Sequence, residues 1–429
     1  MVVINKIFFF IIFFLVFLKI NIGNTSQILD YETEKLIKTI IKDIKDVNNI
    51  NIKLKFKIIK NNNINAFVDE NNTIYITSGL IENCKDYVAL LSVIAHEIGH
   101  IDNNHIKQRK QKINSIENIS TISNLSIIAS SVISQNTELL SGLAFGTANS
   151  TESLIIFSKD QEREADYYSL QTLKKLELYS DSIIELLELI EKRSKEKGIT
   201  KENIKVSSHP YFDERIEIIK YLNERKDPNF DAKKNTQFKF IQSKFIGYNE
   251  NNQRLSKLDG EFKNYASAIL FAKNGKLSES LQIINKLIEK YKNNFYLLET
   301  KADILLSYGY IKEAIQFYNI VQNRFPDNIY TQIRIFENID YDDLSKEELD
   351  IFFDNNINLL EKFYNNEKIL SSFIRLSELN NKNEWNNFLN YLSKKEYKRE
   401  LVIKDLSKFK KTEDKDLLKL IELIYKDYK

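Results

Sequence analysis

The period of apolar and polar positions changes several times along the chain, and each change marks an element. The first signal is helical: Ile37, Ile40, Ile41 and Ile44 share one face of an otherwise polar helix within 24–60. From Ile52 to Ile58 apolar residues alternate with lysines, the pattern of a half-exposed strand. Asn65-Ala66-Phe67-Val68 and Thr73-Ile74-Tyr75-Ile76-Thr77 flank an Asp/Asn turn and predict a hairpin that Gly79 ends. The helical period returns from Asp86 to Lys107. A Ser-rich stretch follows to Ser158, then helices are expected over 159–176, 181–195 and 213–223. Pro228 and the polar residues after it mark a boundary at 228–258. Beyond it the patterning is helical throughout, and part of it repeats. Gly275 begins Gly-Lys-Leu-Ser-Glu-Ser-Leu and Gly309, 34 residues on, begins Gly-Tyr-Ile-Lys-Glu-Ala-Ile. Ala268 and Ala302, Tyr291 and Phe325, and Asn294 and Asn328 keep the same offset, which is the tetratricopeptide period. After 330 the register is lost, and degenerate repeats or a helical cap both fit.

At the N-terminus Lys6 precedes an apolar run, Ile7 to Leu18, that is shorter than the roughly 20 residues needed to cross a bilayer. Gly23, Asn24, Thr25 and Ser26 follow, so the segment reads as a secretory signal peptide. It lacks an Ala-x-Ala site, which leaves an uncleaved anchor as the alternative. No cysteine follows the run, so a lipoprotein anchor is excluded. Lys and Arg number 62 against 60 Asp and Glu, a net charge of +2 without the concentrated basic footprint of a nucleic-acid binder. The single cysteine, Cys84, excludes both an internal disulfide and a thiolate metal cluster.

The sharpest chemical signal is His96-Glu97-Ile98-Gly99-His100, an H-E-x-x-H motif in a chain with four histidines. On a helix, positions i and i+4 differ by about 40° and one turn, so both imidazoles reach one metal. Glu97 lies about 100° from His96, at the flank of the metal, where it can take a proton from water. Catalytic zinc takes three protein ligands and keeps a fourth position open. His105 sits about 180° round a continuing helix from His96, which argues for a position behind the site or at the surface. The third ligand is expected at Glu162. Asp166, one turn further on the same face, can accept a hydrogen bond from a ligating imidazole and fix its tautomer. Glu164, about 200° from Glu162, is expected to point elsewhere. His209, in Ser208-His209-Pro210, is a candidate to hydrogen-bond a developing oxyanion, or to coordinate the metal and block the site.

These segments follow one another in a characteristic order: Asn65-Ala66-Phe67, then Thr77-Ser78-Gly79-Leu80, then the H-E-x-x-H with His105 five residues later. Ser158-x-x-x-Glu162-x-x-Ala165-Asp166 comes next, then Ser208-His209-Pro210 with Arg215. The pattern resembles the zinc metallopeptidase family of the CAAX prenyl protease and the heat-shock protein HtpX. The signal peptide, the lack of further membrane spans and the repeats look like its BepA-type members, periplasmic metallopeptidases and chaperones that attend outer-membrane β-barrel assembly. The resemblance implies one zinc ion per chain on His96, His100 and Glu162. It also implies Glu97 as general base, Asp166 orienting a ligand and His209 closing or assisting the site. Ala66, Phe67 and Arg215 are expected to contact substrate, and the segment 120–157 to cover the active site. Asn104, Lys159 and the Asp69–Asn72 turn depart from the family pattern without removing a ligand.

The expected fold is an α+β metallopeptidase domain, mainly helical with a small sheet, followed by an all-α tetratricopeptide-repeat domain. The expected division is a signal peptide at 1–23, the metallopeptidase domain at 24–230, a linker at 231–260, repeats at 261–330 and a helical remainder at 331–429. The expected activity is zinc-dependent endopeptidase hydrolysis of misfolded or stalled envelope proteins in the periplasm. Envelope or outer-membrane assembly proteins would bind the repeats. No nucleic-acid partner is expected, and peripheral membrane association is left open. The rival reading is a chaperone or assembly scaffold whose protease site is blocked at rest.

Overall fold

Ile37, Ile40 and Ile44 are fully buried on one face of the first helix, α1 (Tyr31–Asn48), as their spacing requires. Asp30 caps that helix by accepting from the Thr33 amide, and Asn49 ends it in the left-handed conformation. The computed structural model describes residues 20–22, 25–114, 157–196, 212–222, 229–393, 406 and 408–428. His209, nearly all of the Ser-rich segment 120–157 and the apolar run of the signal-peptide segment lie outside the described residues. The described residues fall into two compact units, within 17–287 and 288–429.

The first unit holds a five-stranded sheet: β1 (Ile20–Ile22), β2 (Thr25–Ile28), β3 (Lys55–Ile59), β4 (Ala66–Val68) and β5 (Thr73–Thr77), in the order β1-β2-β3-β5-β4. β3 runs parallel to β5, and the predicted hairpin is the antiparallel pair of β4 and β5, with Ala66 opposite Ile76. Side chains alternate across the sheet. Ile58, Ala66, Val68, Ile74 and Ile76 enter the main core, while Ile59, Phe67 and Tyr75 cluster on the other face. β4 is therefore an edge strand with Ala66 turned towards the helices and Phe67 turned away.

The helices of this unit are α2 (Ser78–Asn83), α3 (Tyr87–Asp102), α4 (His105–Asn114), α5 (Lys159–Lys175), α6 (Asp181–Glu196) and α7 (Phe212–Leu222). α3 is buried almost all round because Val88, Ala89, Leu90, Leu91, Ile94, Ala95 and Ile98 leave it no polar face. It starts at Asp86, whose Oδ1 accepts from the Ala89 amide while Oδ2 accepts from Ser182 at 2.6 Å. It ends earlier than its periodicity suggests. Asn104 adopts a positive φ of 59°, which Asn tolerates better than most residues, and the chain turns into α4 at His105.

The stretch 231–260, read from sequence as a linker, holds helix α8 (Ala232–Tyr248), and Phe238, Ile241 and Phe245 of that helix lie in the main core. Its Lys244 is buried against Asp30 and Glu32 at 2.6 and 3.2 Å. Gln242 donates to the carbonyls of Ile81, Glu82 and Cys84. Short α9 (Asn252–Leu255) follows, then α10 (Gly260–Lys273) and α11 (Leu277–Lys290), within which the division between the two units falls.

The second unit, within 288–429, is helical: α12 (Phe295–Ser307), α13 (Ile311–Arg324), α14 (Ile329–Asn338), α15 (Lys346–Phe363), α16 (Glu367–Leu379), α17 (Asn383–Ser393) and α18 (Lys415–Tyr428). α13 starts and ends 34 residues after α11. Gly275 and Gly309 turn the chain between helices at φ of 79° and 83°, a conformation only glycine takes freely. Asn294 and Asn328, one period apart, both cap helix N-termini. Further on, Phe336, Phe373, Phe353 and Trp385 form an aromatic chain with centroids 4.4–5.4 Å apart in successive pairs. Among the described residues no helix is long and apolar enough to cross a membrane.

Candidate metal centre

His96 and His100 lie one turn apart on α3, and their Nε2 atoms approach to 3.1 Å. Glu162, in the first turn of α5, faces both rings: Oε2 is 3.5 Å from His96 Nε2 and Oε1 is 3.5 Å from His100 Nε2. The three side chains are buried, and one donor atom from each lies within 4.8 Å of the others. Tetrahedral ligands with bonds of about 2.0–2.1 Å stand roughly 3.3 Å from one another, which is close to these separations.

Two devices bring these residues together. The Ser158 hydroxyl caps α5 by accepting from the Gln161 amide, and the Gln161 side chain accepts from the Ser158 amide, a full capping box that sets the first turn carrying Glu162. Gly99, inside the motif, lets α5 come close. A Cβ at Gly99 would stand 3.0 Å from Tyr168 Cβ and 3.2 Å from Ala165 Cα. Ser169 ties the two helices by donating to the Ser92 carbonyl at 2.8 Å.

The outer contacts orient both rings. His96 Nδ1 lies 2.9 Å from Asp166 Oδ1. Asp166 in turn accepts from Arg215 twice, Nε to Oδ2 and Nη2 to Oδ1, each at 2.8 Å. Arg215 Nη1 also stands 3.2 Å from Glu162 Oε2. His100 Nδ1 is 2.9 Å from His105 Nδ1, and His105 Nε2 is 2.9 Å from Glu164 Oε2. Phe157 stacks on the His100 ring at 3.7 Å and 15°. The Nε2 atoms of His96 and His100 and the Glu162 carboxylate thus face one another in a buried space. A divalent cation offsets that crowding of electron-rich atoms, so the donor set fits zinc.

The electrostatics point the same way. Burial and the Arg215 charge oppose a proton on His96, yet Asp166 and Glu162 outweigh them and push its pKa up to about 9. Burial alone would raise Asp166, but the charges of Arg215 and His96 hold it below its usual range. The site thus draws positive charge, a proton or a metal, onto His96.

Beside the centre opens a mainly apolar pocket. Ala66, Val93, His96, Glu97 and Arg215 line it together with Ile183, Leu187, Ile190, Phe212 and Ile219. The sequence-derived candidates separate accordingly. Glu97 is buried on the pocket wall, Ala66 also faces it, and Arg215 is buried in the ion pairs. Phe67 stacks on Tyr75 at 4.6 Å on the far face of the sheet, because alternate residues of a strand point to opposite sides. Phe67, expected from the sequence to contact substrate, therefore has its side chain outside this pocket. His105 is not turned 180° from the site, since the helix breaks at Asn103–Asn104 and swings its ring back onto His100. Glu164, expected to point elsewhere, reaches His105. The adjacent asparagines were the local signal for that break.

The sequence matches the model of peptidase family M48 over residues 31–223. It is 22% identical to the β-barrel assembly-enhancing protease of Yersinia pestis over 284 residues, 63% of this chain and 58% of that protein. It is likewise 22% identical to the β-barrel assembly-enhancing protease of Escherichia coli K12 over 286 residues, with the same coverage. The matched regions thus span less than two thirds of these relatives.

Proposed function

We propose, from the membership of residues 31–223 in peptidase family M48, that this chain is a zinc-dependent endopeptidase acting on misfolded or stalled envelope proteins. The observation that carries the reading is the convergence of His96 Nε2, His100 Nε2 and a Glu162 oxygen in one buried space. When bound there, zinc would act as a Lewis acid on the scissile carbonyl and lower the pKa of water.

The protein's own residues would do the rest. Glu97 would accept the proton of the attacking water and pass it to the leaving amine. Asp166, held by Arg215, would keep His96 in the tautomer that presents Nε2 to the metal. An extended substrate would pair with β4, which among the described residues pairs only with β5. Small Ala66 on that strand leaves room over the pocket, whose apolar wall suits an apolar substrate side chain. His209 lies three residues before Phe212, which lines the pocket, and is proposed to contact the developing oxyanion or to shield the site at rest.

The names of the relatives, together with the sequence signal for export, support a place in outer-membrane protein assembly in the periplasm. The 34-residue recurrence of helices, caps and turn glycines over 260–328 supports tetratricopeptide repeats that hold partner proteins. The test is Glu97→Gln in the full chain, assayed on an unfolded protein. Loss of hydrolysis by roughly 100-fold or more with zinc content unchanged is expected. Equal hydrolysis by both proteins would sink the mechanism.

A further inference from the structure

The two histidines of the centre are not supported alike. His96 meets a carboxylate directly, through Asp166. On the Nδ1 side, His100 reaches a carboxylate through a second imidazole, in the line His100 Nδ1, His105 Nδ1, His105 Nε2, Glu164 Oε2 with 2.9 Å at each hydrogen-bonded link. We propose that His105 and Glu164 are positioning residues of the metal centre, a relay that fixes the proton of His100 on Nδ1 and so aims its Nε2 lone pair at the ion. This deepens the zinc peptidase reading and rests on it for the identity of the metal.

The polarity of the line follows from its ends. Ionised Glu164 can only accept, so His105 Nε2 must carry the proton that is shared with it. A neutral His105 then has a bare Nδ1, which can only accept. His100 Nδ1 must therefore donate, and its Nε2 is left unprotonated towards His96 and Glu162. The reverse polarity would place the proton of His100 on Nε2, inside the site, and would leave Glu164 facing a lone pair.

The surroundings hold the line in place. His105 is 1% exposed, so its second nitrogen has no bulk water to fall back on, whereas the Glu164 side chain is 60% exposed. The relay thus begins at a buried ligand and ends at a surface carboxylate. Phe157 stacked on His100 limits rotation of that ring, so the hydrogen bond selects the tautomer of an already oriented imidazole. The helix break at Asn104 is what makes the relay possible, because a continuous helix would carry His105 to the opposite side. The same helix α5 supplies Glu162 as ligand, Glu164 to the His100 relay and Asp166 to His96.

Two measurements on the full chain test this. The first is the imidazole ¹⁵N spectrum of the zinc-free protein above pH 9, which reports each ring's tautomer. His100 is expected with its proton on Nδ1, and a proton on Nε2 overturns the proposal whether or not zinc is the physiological metal. The second is the zinc dissociation constant by chelator competition. His105→Leu should weaken zinc binding by roughly 10–100-fold. His105→Asn, whose amide oxygen can replace Nδ1 as acceptor, should restore much of the loss. Unchanged affinity in His105→Leu, or equal losses in the two variants, would show that the residue acts by packing alone and would overturn the relay. Failure of the wild-type chain to bind zinc would instead defeat the peptidase reading, and the tautomer would still decide the relay.

Discussion

Arg215 and Asp166 form a two-pronged ion pair, both hydrogen bonds 2.8 Å long, at the back of the His96 ring. Both side chains are buried, and the partners come from helices 49 positions apart in sequence. A buried guanidinium of this kind neutralises Asp166 and part of the Glu162 charge before any metal arrives. Arg215→Met should therefore leave two carboxylates without their counter-charge and lower folding stability by about 3–5 kcal/mol. Arg215→Lys should recover only part of that, since an ammonium cannot reproduce the planar fork. Urea unfolding of the metal-free proteins measures both. Unchanged stability in Arg215→Met would mean that the residue serves substrate rather than the frame of the site.

The Gly99 contact makes a second prediction. The helix carrying the imidazoles and the helix carrying Glu162 meet where a Cβ on Gly99 would press on Tyr168 and Ala165. Gly99→Ala needs shifts of a few tenths of an ångström and should be mild. Gly99→Val should push the helices apart, drawing Glu162 from the rings. Hydrolysis should then fall by roughly 100-fold, the scale of a 1 Å misplacement, with loss of zinc content. Full metal content and activity in Gly99→Val would show that the close approach does not set the ligand geometry.

Much of this was legible in the sequence where periodicity or helical spacing decides the outcome. The isoleucine stripe of α1, the strands at 66–68 and 73–77 and the helices at 159–175 and 181–196 lie within a few residues of where their patterns place them. The i, i+4 geometry of His96 and His100 follows from the motif, and the one-turn spacing of Glu162 and Asp166 brings both carboxylates to the centre. What the sequence hid depends on a single residue's backbone or on contacts remote along the chain. The direction of His105 turns on the φ of Asn104. The role of Arg215 depends on a packing partner that no local spacing reveals. Helix α8 looked like a linker because Lys239, Gln242, Ser243 and Lys244 are interspersed among Phe238, Ile241 and Phe245, although those three share a face that the core takes up.

A pH prediction comes from the other buried charge cluster of the first unit. Burial raises the Glu32 carboxyl to about 7, with Lys244 opposing and Asp30 adding to the shift. A raised carboxyl pKa means that the folded state holds its proton more tightly than the unfolded chain does. Its contribution to stability is full below about pH 4.5 and is lost as pH rises through 7. Glu32→Gln removes that dependence. Relative to wild type, the variant should gain stability between pH 5 and pH 8 by on the order of 2–3 kcal/mol. Chemical denaturation of both proteins at the two pH values measures the gain, and an equal stability difference at both would contradict the assignment.

The most direct measurement is metal content. Full-length wild-type protein, dialysed against metal-free buffer, should retain one zinc ion per chain by mass spectrometry, and Glu162→Ala, folded by circular dichroism, should retain little or none. Wild-type zinc occupancy in Glu162→Ala would contradict the account, because the carboxylate between the two imidazoles would then not be a ligand.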